Sequence, residues 1–247
     1  MSKLMVIRRF LCLMLLLSML SVTACATGPD QYYGYYDENG EYQEELVSDP
    51  LEGWNRIVFA FNDFVITYIA DPIRIGYEFI TPQFVQTGIS NFFHNLRTPI
   101  RFVSNLFQGK LDDAGVELGR FMVNTVAGVG GLIDVAEHVE GLERLSDNED
   151  IGQMLGKWGI GEGVFIVWPL LGPSNIRDTI GLAGDFFLDP VTYVHPWELR
   201  YGIRAVEVVD MLPRMINAYN AVTQSAIDPY SAMRDAYIQN RRYRISE

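Results

Sequence analysis

The chain has 247 residues, of which 49% are apolar, 20% are charged and 13% are aromatic, and its 31 acidic side chains outnumber the 19 basic ones. This composition is typical of a folded domain and excludes a collagen, a coiled coil and a disordered tail. The formal net charge of -12 argues against a nucleic-acid-binding protein, because such proteins neutralise phosphates with clustered Lys and Arg.

The N-terminus has the pattern of a bacterial lipoprotein signal. Three basic residues precede an apolar run at 10–20, and the small residues 22–24 lead directly to Cys25. The run is shorter than the roughly 20 apolar residues that a membrane-spanning helix needs. We therefore predict that residues 1–24 are a signal peptide and that Cys25 carries a covalent lipid, with no other cofactor. Ala26 follows where Asp commonly retains lipoproteins at the inner membrane, which favours the outer membrane of a Gram-negative cell.

Residues 25–49 are predicted to be an acidic, flexible tether between the lipid and a domain at residues 50–247. Residues 26–49 contain seven carboxylates and no Lys or Arg, and their tyrosines leave docking open as an alternative. Without residues 1–24 the chain has 16 basic and 31 acidic side chains, a net charge of -15. Because Cys12 leaves with the signal and Cys25 is acylated, no intramolecular disulfide is expected.

Beyond the tether the sequence predicts an all-α domain. Asp or Thr before Pro is a helix-start signal, and such pairs recur along the chain, whereas no sustained period-two alternation predicts strands. Ser174 is expected to be an N-cap, and Pro213 is expected to kink or end its helix. The predicted helices cover about 51–69, 73–80, 82–96, 99–107, 112–125, 151–157, 174–188, 197–212 and 229–242.

The first predicted helix, at about 51–69, is amphipathic. At 100° per residue its apolar side chains share an arc of roughly 140°, and most of its polar side chains lie opposite. Periodicity alone favours packing of this arc into a protein core over a helix that lies in a membrane. The candidate functional residues are the apolar Trp54, Phe61 and Phe64 and the polar Asn55 and Asn62.

No catalytic or metal site is predicted. The histidines, His94, His138 and His195, lie about 50 residues apart, without a second ligand at zinc spacing. A nucleophile elbow requires Gly-x-Ser-x-Gly. Ser90 and Ser174 each lie two residues after a glycine, but neither has the second glycine two residues later. Acyl hydrolysis and metal chemistry are therefore both disfavoured.

The glycine cluster at 128–131 does not predict nucleotide binding. A dinucleotide fingerprint, Gly-x-Gly-x-x-Gly, opens a helix, whereas this cluster follows a predicted helix and has Ile133 in place of the last glycine. Left-handed turns or close backbone packing explain the cluster better. The candidate hinge or close-packing glycines are Gly128, Gly130 and Gly131.

Many ordered motifs, from about residue 48 to 240, give the chain a close resemblance to the MlaA (VacJ) lipoprotein family. The motifs that carry it are Ser48-Asp49-Pro50-Leu51-Glu52-Gly53-Trp54-Asn55-Arg56, Phe61-Asn62, Thr81-Pro82-Gln83, Gly88-Ile89-Ser90-Asn91-Phe92, Asn105-Leu106-Phe107-Gln108-Gly109, Gly128-Val129-Gly130-Gly131-Leu132-Ile133-Asp134, Pro169-Leu170-Leu171-Gly172-Pro173-Ser174 and Asp228-Pro229-Tyr230.

This resemblance implies a ring of amphipathic helices in the inner leaflet of the outer membrane around an amphipathic channel. Phospholipids mislocalised to the outer leaflet would pass through the channel to the soluble periplasmic carrier MlaC, which maintains lipid asymmetry, and trimeric porins would be partners. The resemblance reverses the interpretation of the first helix: its apolar arc would face lipid or packed helices, and its polar side could line the channel. Such transport breaks no bond, so an enzyme is not expected.

Two alternatives remain open. A porin-associated structural lipoprotein would bind a porin without moving lipid, and a periplasmic phospholipase would need the nucleophile elbow that the sequence lacks. Many members of the family also have a long C-terminal extension, whereas this chain stops at Glu247.

Overall fold

A computed structural model of the chain describes residues 31–36, 42–47, 49–145 and 149–246. The predicted signal peptide and Cys25 lie outside the described residues. The domain boundaries inferred from the sequence therefore stay predictions.

The described residues are mostly helical, which confirms the predicted fold class. Two short antiparallel hairpins, β1 with β2 and β3 with β4, accompany the helices. The elements in chain order are β1 (Gln31–Tyr36), β2 (Tyr42–Val47), α1 (Glu52–Val65), a π-helical segment (Ile66–Ala70), α2 (Asp71–Ile80), α3 (Gln83–Leu96), α4 (Thr98–Gln108), α5 (Leu111–Val126), α6 (Ile151–Lys157), β3 (Phe165–Trp168), β4 (Gly172–Asn175), α7 (Ile176–Leu188), α8 (Trp197–Thr223) and α9 (Pro229–Ser246), with 3-10 turns at Ala136–His138 and Pro190–Tyr193.

The absence of strand signals in the sequence was misleading at the two hairpins. β1 and β2 pair Tyr36 with Tyr42 inside the segment predicted to be a tether. The acidic composition of that segment favoured a flexible tether, although its tyrosines favour strands. β3 and β4 have only four residues each, too few for a period-two pattern to be read.

The helix expected to restart at Asp71-Pro72 instead runs on without a break from α1 through α2. The Asp71 N–H bonds the Ile66 carbonyl, five residues back, at the end of the π-helical segment. The hydrogen-bond register has therefore already shifted where Pro72 lacks its donor, and the proline does not end the helix.

Two further predicted helix boundaries were wrong. Pro213 does not end α8, because Leu212 and Ile216 on either side of it are buried and pack against Ala70 of the π-helical segment. Ser174 is not an N-cap, since β4 continues to Asn175, whose side chain accepts the Asp178 N–H at 2.7 Å.

Among the described residues, buried polar side chains outnumber buried apolar ones, and many large apolar side chains are exposed. Buried positions comprise 21 polar or charged residues and 14 apolar ones, whereas 40 large apolar side chains are exposed. So many exposed large apolar side chains are unusual for a water-soluble protein. None of the helices in the described ranges combines the length and apolar content needed to cross a membrane.

A buried cluster, the Asp178 hub, joins α6, α7 and α9. Arg241 contacts Asp178 at 2.7 Å and Asp150 at 2.6 Å, while Arg177 and Tyr237 also donate to Asp178. Burial acts to raise the pKa of Asp178, but the hydrogen bonds from Arg241, Arg177 and Tyr237 outweigh it and hold this pKa below its usual range. The hub therefore stabilises the folded chain through ionised groups.

Asp185, on α7 close to this hub, should give the protein a distinctive dependence on pH. Burial raises the pKa of Asp185 to about 6, although its carboxylate accepts the Ile151 N–H at 3.1 Å. The folded chain therefore binds a proton there between about pH 4 and 6 that the unfolded chain releases, and this stabilisation is lost as pH rises through 6.

Asp185→Asn keeps the acceptor oxygen but has no charge to bury. The difference in unfolding free energy between this variant and the native chain should therefore grow by about 2 kcal/mol, in favour of the variant, from pH 4 to pH 7. Urea unfolding in detergent at both pH values measures the difference, and a constant difference would contradict the shifted pKa.

Candidate functional site

A cavity of about 720 Å³ lies between α3, α8 and the loop that follows α5. We call it the arginine cavity, because three arginines contribute to its wall together with two carboxylates and several apolar side chains. The lining residues are Ser90, Phe93, His94, Arg97, Arg144, Glu207, Asp210, Met211, Arg214 and Met215.

Buried carboxylates on α8 hold two of these arginines. Glu207 pairs with Arg97 at 2.7 Å, and Asp210 pairs with Arg214 at 2.9 Å. Both carboxylates are buried, but the side chains of Arg97 and Arg214 are 45% and 59% exposed. The acidic groups therefore lie behind the guanidinium groups, which remain accessible from the cavity.

His94 adds no charge to the arginine cavity. Burial, together with the positive charges of Arg101 and Arg144, lowers the pKa of His94 to about 2. The ring is therefore neutral at physiological pH, and its Nδ1 lies 2.8 Å from an Arg144 nitrogen. Three arginines against two carboxylates leave a formal charge of +1 at the wall.

The chemistry of the arginine cavity suits an amphiphilic anion. Guanidinium groups bind phosphate oxygens through several N–H donors, and Phe93, Met211 and Met215 offer apolar contacts beside them. Among the described residues, no three His, Cys, Asp or Glu side chains are grouped so that they could hold a metal ion.

Most of the apolar side of α1 faces outward, with Val58 as a buried exception, so the interpretation from periodicity alone, a core-packing helix, was wrong for most of this side. Trp54, Phe61 and Phe64 are 37%, 48% and 54% exposed. The polar side is buried instead: Asn55 is fully buried and Asn62 nearly so. The role of the three aromatic side chains as a membrane-facing surface stays a prediction.

Asn55 and Asn62 contact the β3–β4 hairpin and do not face the arginine cavity. The Asn55 amide donates to the Phe165 carbonyl at 3.2 Å and accepts the Val167 N–H at 2.8 Å. Asn62 likewise donates to the carbonyl of Trp168 and accepts the Leu170 N–H. The expectation that these two amides line a channel therefore needs correction, because both are occupied by backbone groups of the hairpin.

The glycine cluster after α5 combines left-handed backbone with close packing. Gly130 and Gly131 have φ of 72° and 95°. A Cβ atom on Gly128 would lie 2.1 Å from the Ile133 carbonyl oxygen, and one on Gly131 would lie 2.5 Å from the Asn95 Cβ. Close packing thus accounts for Gly128 and Gly131 and left-handed backbone for Gly130, while a hinge motion stays a prediction.

A pair of alanine substitutions separates these two effects. Gly130→Ala meets nothing within 4 Å, so backbone strain alone should destabilise the fold by about 1 kcal/mol. Gly131→Ala adds the clash with Asn95 and should destabilise it by about 3 kcal/mol. Urea unfolding measures both variants, and equal effects would show that the contact with Asn95 is unimportant.

Sequence reasoning missed the charged residues of the arginine cavity. A signal was present, because Arg204, Glu207, Asp210 and Arg214 recur at spacings of three and four and so share one helix face. In solution such a row is usually a solvated face, whereas here both of its acidic members are buried.

Comparisons with known proteins identify relatives along most of the chain. A family model described as MlaA lipoprotein matches residues 47–244. The intermembrane phospholipid transport system lipoprotein MlaA of Haemophilus influenzae is 31% identical over 94% of this chain and 89% of that protein. Its Escherichia coli namesake is 31% identical over 91% and 88%. A structure solved to explain the maintenance of bacterial outer membrane lipid asymmetry is 30% identical, with a TM-score of 0.71 over 81% of this chain and 100% of that one.

Proposed function

The chain belongs to the MlaA lipoprotein family, and from this premise we infer that it acts in intermembrane phospholipid transport and maintains the lipid asymmetry of the outer membrane. The observation that carries this function is the arginine cavity, whose guanidinium groups and apolar side chains suit the two parts of a phospholipid. The phosphate would pass along Arg97 and Arg214 while the acyl chains contact Phe93, Met211 and Met215.

The exposed apolar surface supports a position within the membrane. Side chains such as Phe79 and Phe84, exposed by 89% and 78%, would contact acyl chains, and the buried ion pairs would stay shielded from them. We propose that the helices form a ring in the inner leaflet of the outer membrane. The arginine cavity would then be part of an amphipathic channel through that ring.

The remaining parts of the proposal follow from the family resemblance. The chain would remove mislocalised phospholipids from the outer leaflet and deliver them to the soluble periplasmic carrier MlaC, in association with trimeric porins. No bond is broken in this transfer, so the chain would act as a transporter and not as an enzyme.

A complementation experiment tests the transport function. In a strain that lacks the gene, the double variant Arg97→Gln, Arg214→Gln should accumulate outer-leaflet phospholipid at least threefold over the native gene. Glu207 and Asp210 keep Arg204 and Tyr77 as partners, so the variant is expected to fold. Arg74→Gln, which breaks only ion pairs on α2, is the matched control. Normal lipid asymmetry in the double variant, at normal protein level, would contradict transport through this cavity and favour a structural role beside the porin.

The lipid anchor has its own test. Cys25→Ala removes the sulfur that would be acylated, so we expect no lipid on the variant and no cleavage after Ala24. Mass spectrometry of the purified mature protein measures both. An unmodified Cys25 in the native protein would contradict the predicted anchor.

A further inference from the structure

A second cavity, of about 460 Å³, lies between α4, α5 and the residues on both sides of 146–148. We call it the Asn105 cavity. Among the described residues, its wall contains two basic and three acidic side chains, a formal charge of -1, in contrast to the +1 of the arginine cavity. The lining residues are Arg101, Asn105, Lys110, Asp113, Glu117, Leu145 and Glu149.

Both cations of the Asn105 cavity are already paired. Arg101 contacts Glu117 at 2.9 Å, with both side chains buried, and Lys110 contacts Glu149 at 2.9 Å. These pairs neutralise two of the three carboxylates. A phosphate would therefore have to compete with Glu117 and Glu149 for its donors.

Two acceptors in the same wall have no partner among the described residues. Asn105 is only 2% exposed, and its Oδ1 accepts no hydrogen bond. The side chain of the half-buried Asp113 makes no ion pair or hydrogen bond within the described ranges. An unpaired buried acceptor is costly, so native proteins normally satisfy such groups with a ligand or with ordered water.

We propose that the Asn105 cavity binds a primary ammonium group, whose N–H hydrogens are accepted by Asn105 Oδ1 and by the Asp113 carboxylate. An ammonium group carries three donors and one positive charge, which balances the formal charge of the cavity. A quaternary ammonium group has no N–H and prefers aromatic walls, and none of the described residues that line this cavity is aromatic. A divalent metal ion would prefer several free oxygen ligands, whereas two of the carboxylates here are held by Arg and Lys.

The ammonium group would come either from a soluble amine or from an ethanolamine lipid headgroup. The lipid source rests on the proposed transport function. It is supported by the proximity of the two cavities, since Arg101 of this cavity acts electrostatically on His94 of the arginine cavity. The phosphate of such a lipid would lie at the positively charged arginine cavity, and its ammonium group would lie at the negatively charged Asn105 cavity nearby. The Asn105 cavity would then confer headgroup selectivity.

The first experiment uses soluble probes on the purified protein in detergent. Ethanolamine should shift the Asn105 side-chain amide resonances, whereas choline and Mg²⁺ at equal concentration should not. Asp113→Asn should weaken ethanolamine binding at least tenfold. Asp112→Asn, the same charge change at an exposed neighbour, should leave ethanolamine binding unchanged. A lack of ethanolamine binding, equal binding of choline or Mg²⁺, or equal effects of the two variants would overturn the proposal and leave ordered water as the occupant.

The second experiment measures competition between phosphatidylethanolamine and phosphatidylglycerol in mixed micelles. The native protein should prefer phosphatidylethanolamine at least threefold, and Asn105→Leu and Asp113→Asn should abolish this preference. Asn105→Leu removes a buried acceptor that has no partner, so its melting temperature should be unchanged or higher. A lower melting temperature would show that Asn105 has a structural hydrogen bond and would overturn the proposal.

The two proposals fail in different ways. Binding of ethanolamine without binding of either lipid would contradict the transport function and support the ammonium site. Binding of both lipids with no headgroup preference and no ethanolamine binding would support transport and overturn the ammonium site.

Discussion

Asn55→Leu should destabilise the folded protein by about 4 kcal/mol. The Asn55 side chain is fully buried and bonds the Phe165 carbonyl, the Val167 N–H and the Asp49 carboxylate. Leucine has a similar volume but no polar atoms, so all three partners lose a hydrogen bond inside the protein. Each buried polar group left without a partner costs about 1–3 kcal/mol.

The matched control is Asn217→Leu, which makes the same chemical change at an exposed position of α8. It should alter stability by less than about 0.5 kcal/mol. Urea unfolding of the purified proteins in detergent compares the two variants. Equal stabilities would show that water or a rearranged backbone replaces the amide, and the role assigned to Asn55 would be wrong.

Arg241→Ala should destabilise the protein by about 3–5 kcal/mol at pH 7, because it takes the paired cation from Asp150 and leaves Asp178 with Arg177 as its remaining cation. Arg241 is the residue that joins Asp150, at the start of α6, to Asp178 on α7. The effect should be smaller at pH 4. Loss of Arg241 removes interactions that hold the pKa of Asp178 down, and a carboxylate that protonates no longer needs a cation.

Arg242→Ala is the neighbouring control for this experiment. Arg242 pairs with Glu162 at 2.7 Å, but both side chains are about one third exposed. Removal of a solvent-exposed ion pair typically costs less than about 1 kcal/mol. Urea unfolding of both variants at pH 4 and 7 measures these differences. Similar losses in the two variants would show that the buried hub contributes no more than a surface pair.

The sequence predicted helices well where capping signals and apolar spacing agreed, as in α6, whose bounds match the prediction at 151–157. It failed where tertiary contacts dominate. Pro213 lies inside α8 because Leu212 and Ile216 are held by packing against Ala70. Propensity at a single residue cannot report such long-range contacts, and the π-helical segment before Pro72 was unpredictable for the same reason.

For the candidate residues on α1, the sequence predicted an amphipathic helix but the wrong direction for its faces. An amphipathic pattern reports that α1 has two sides, but not which side contacts protein. Periodicity therefore assigned Phe61 and Phe64 to a core, whereas the described structure buries Asn55 and Asn62 and exposes both aromatic side chains. The arginine cavity escaped prediction because its residues come from distant parts of the chain, such as His94 and Glu207.

The contacts of α1 with the β3–β4 hairpin also have a consequence for aggregation. A two-stranded sheet has free edges, and the unpaired backbone of an edge strand is a template for strands of other chains. The side-chain amides of Asn55 and Asn62 act as substitutes for a third strand and saturate backbone groups of Phe165, Val167 and Trp168. This edge is therefore closed to intermolecular pairing, in a molecule whose apolar exterior already favours self-association outside lipid.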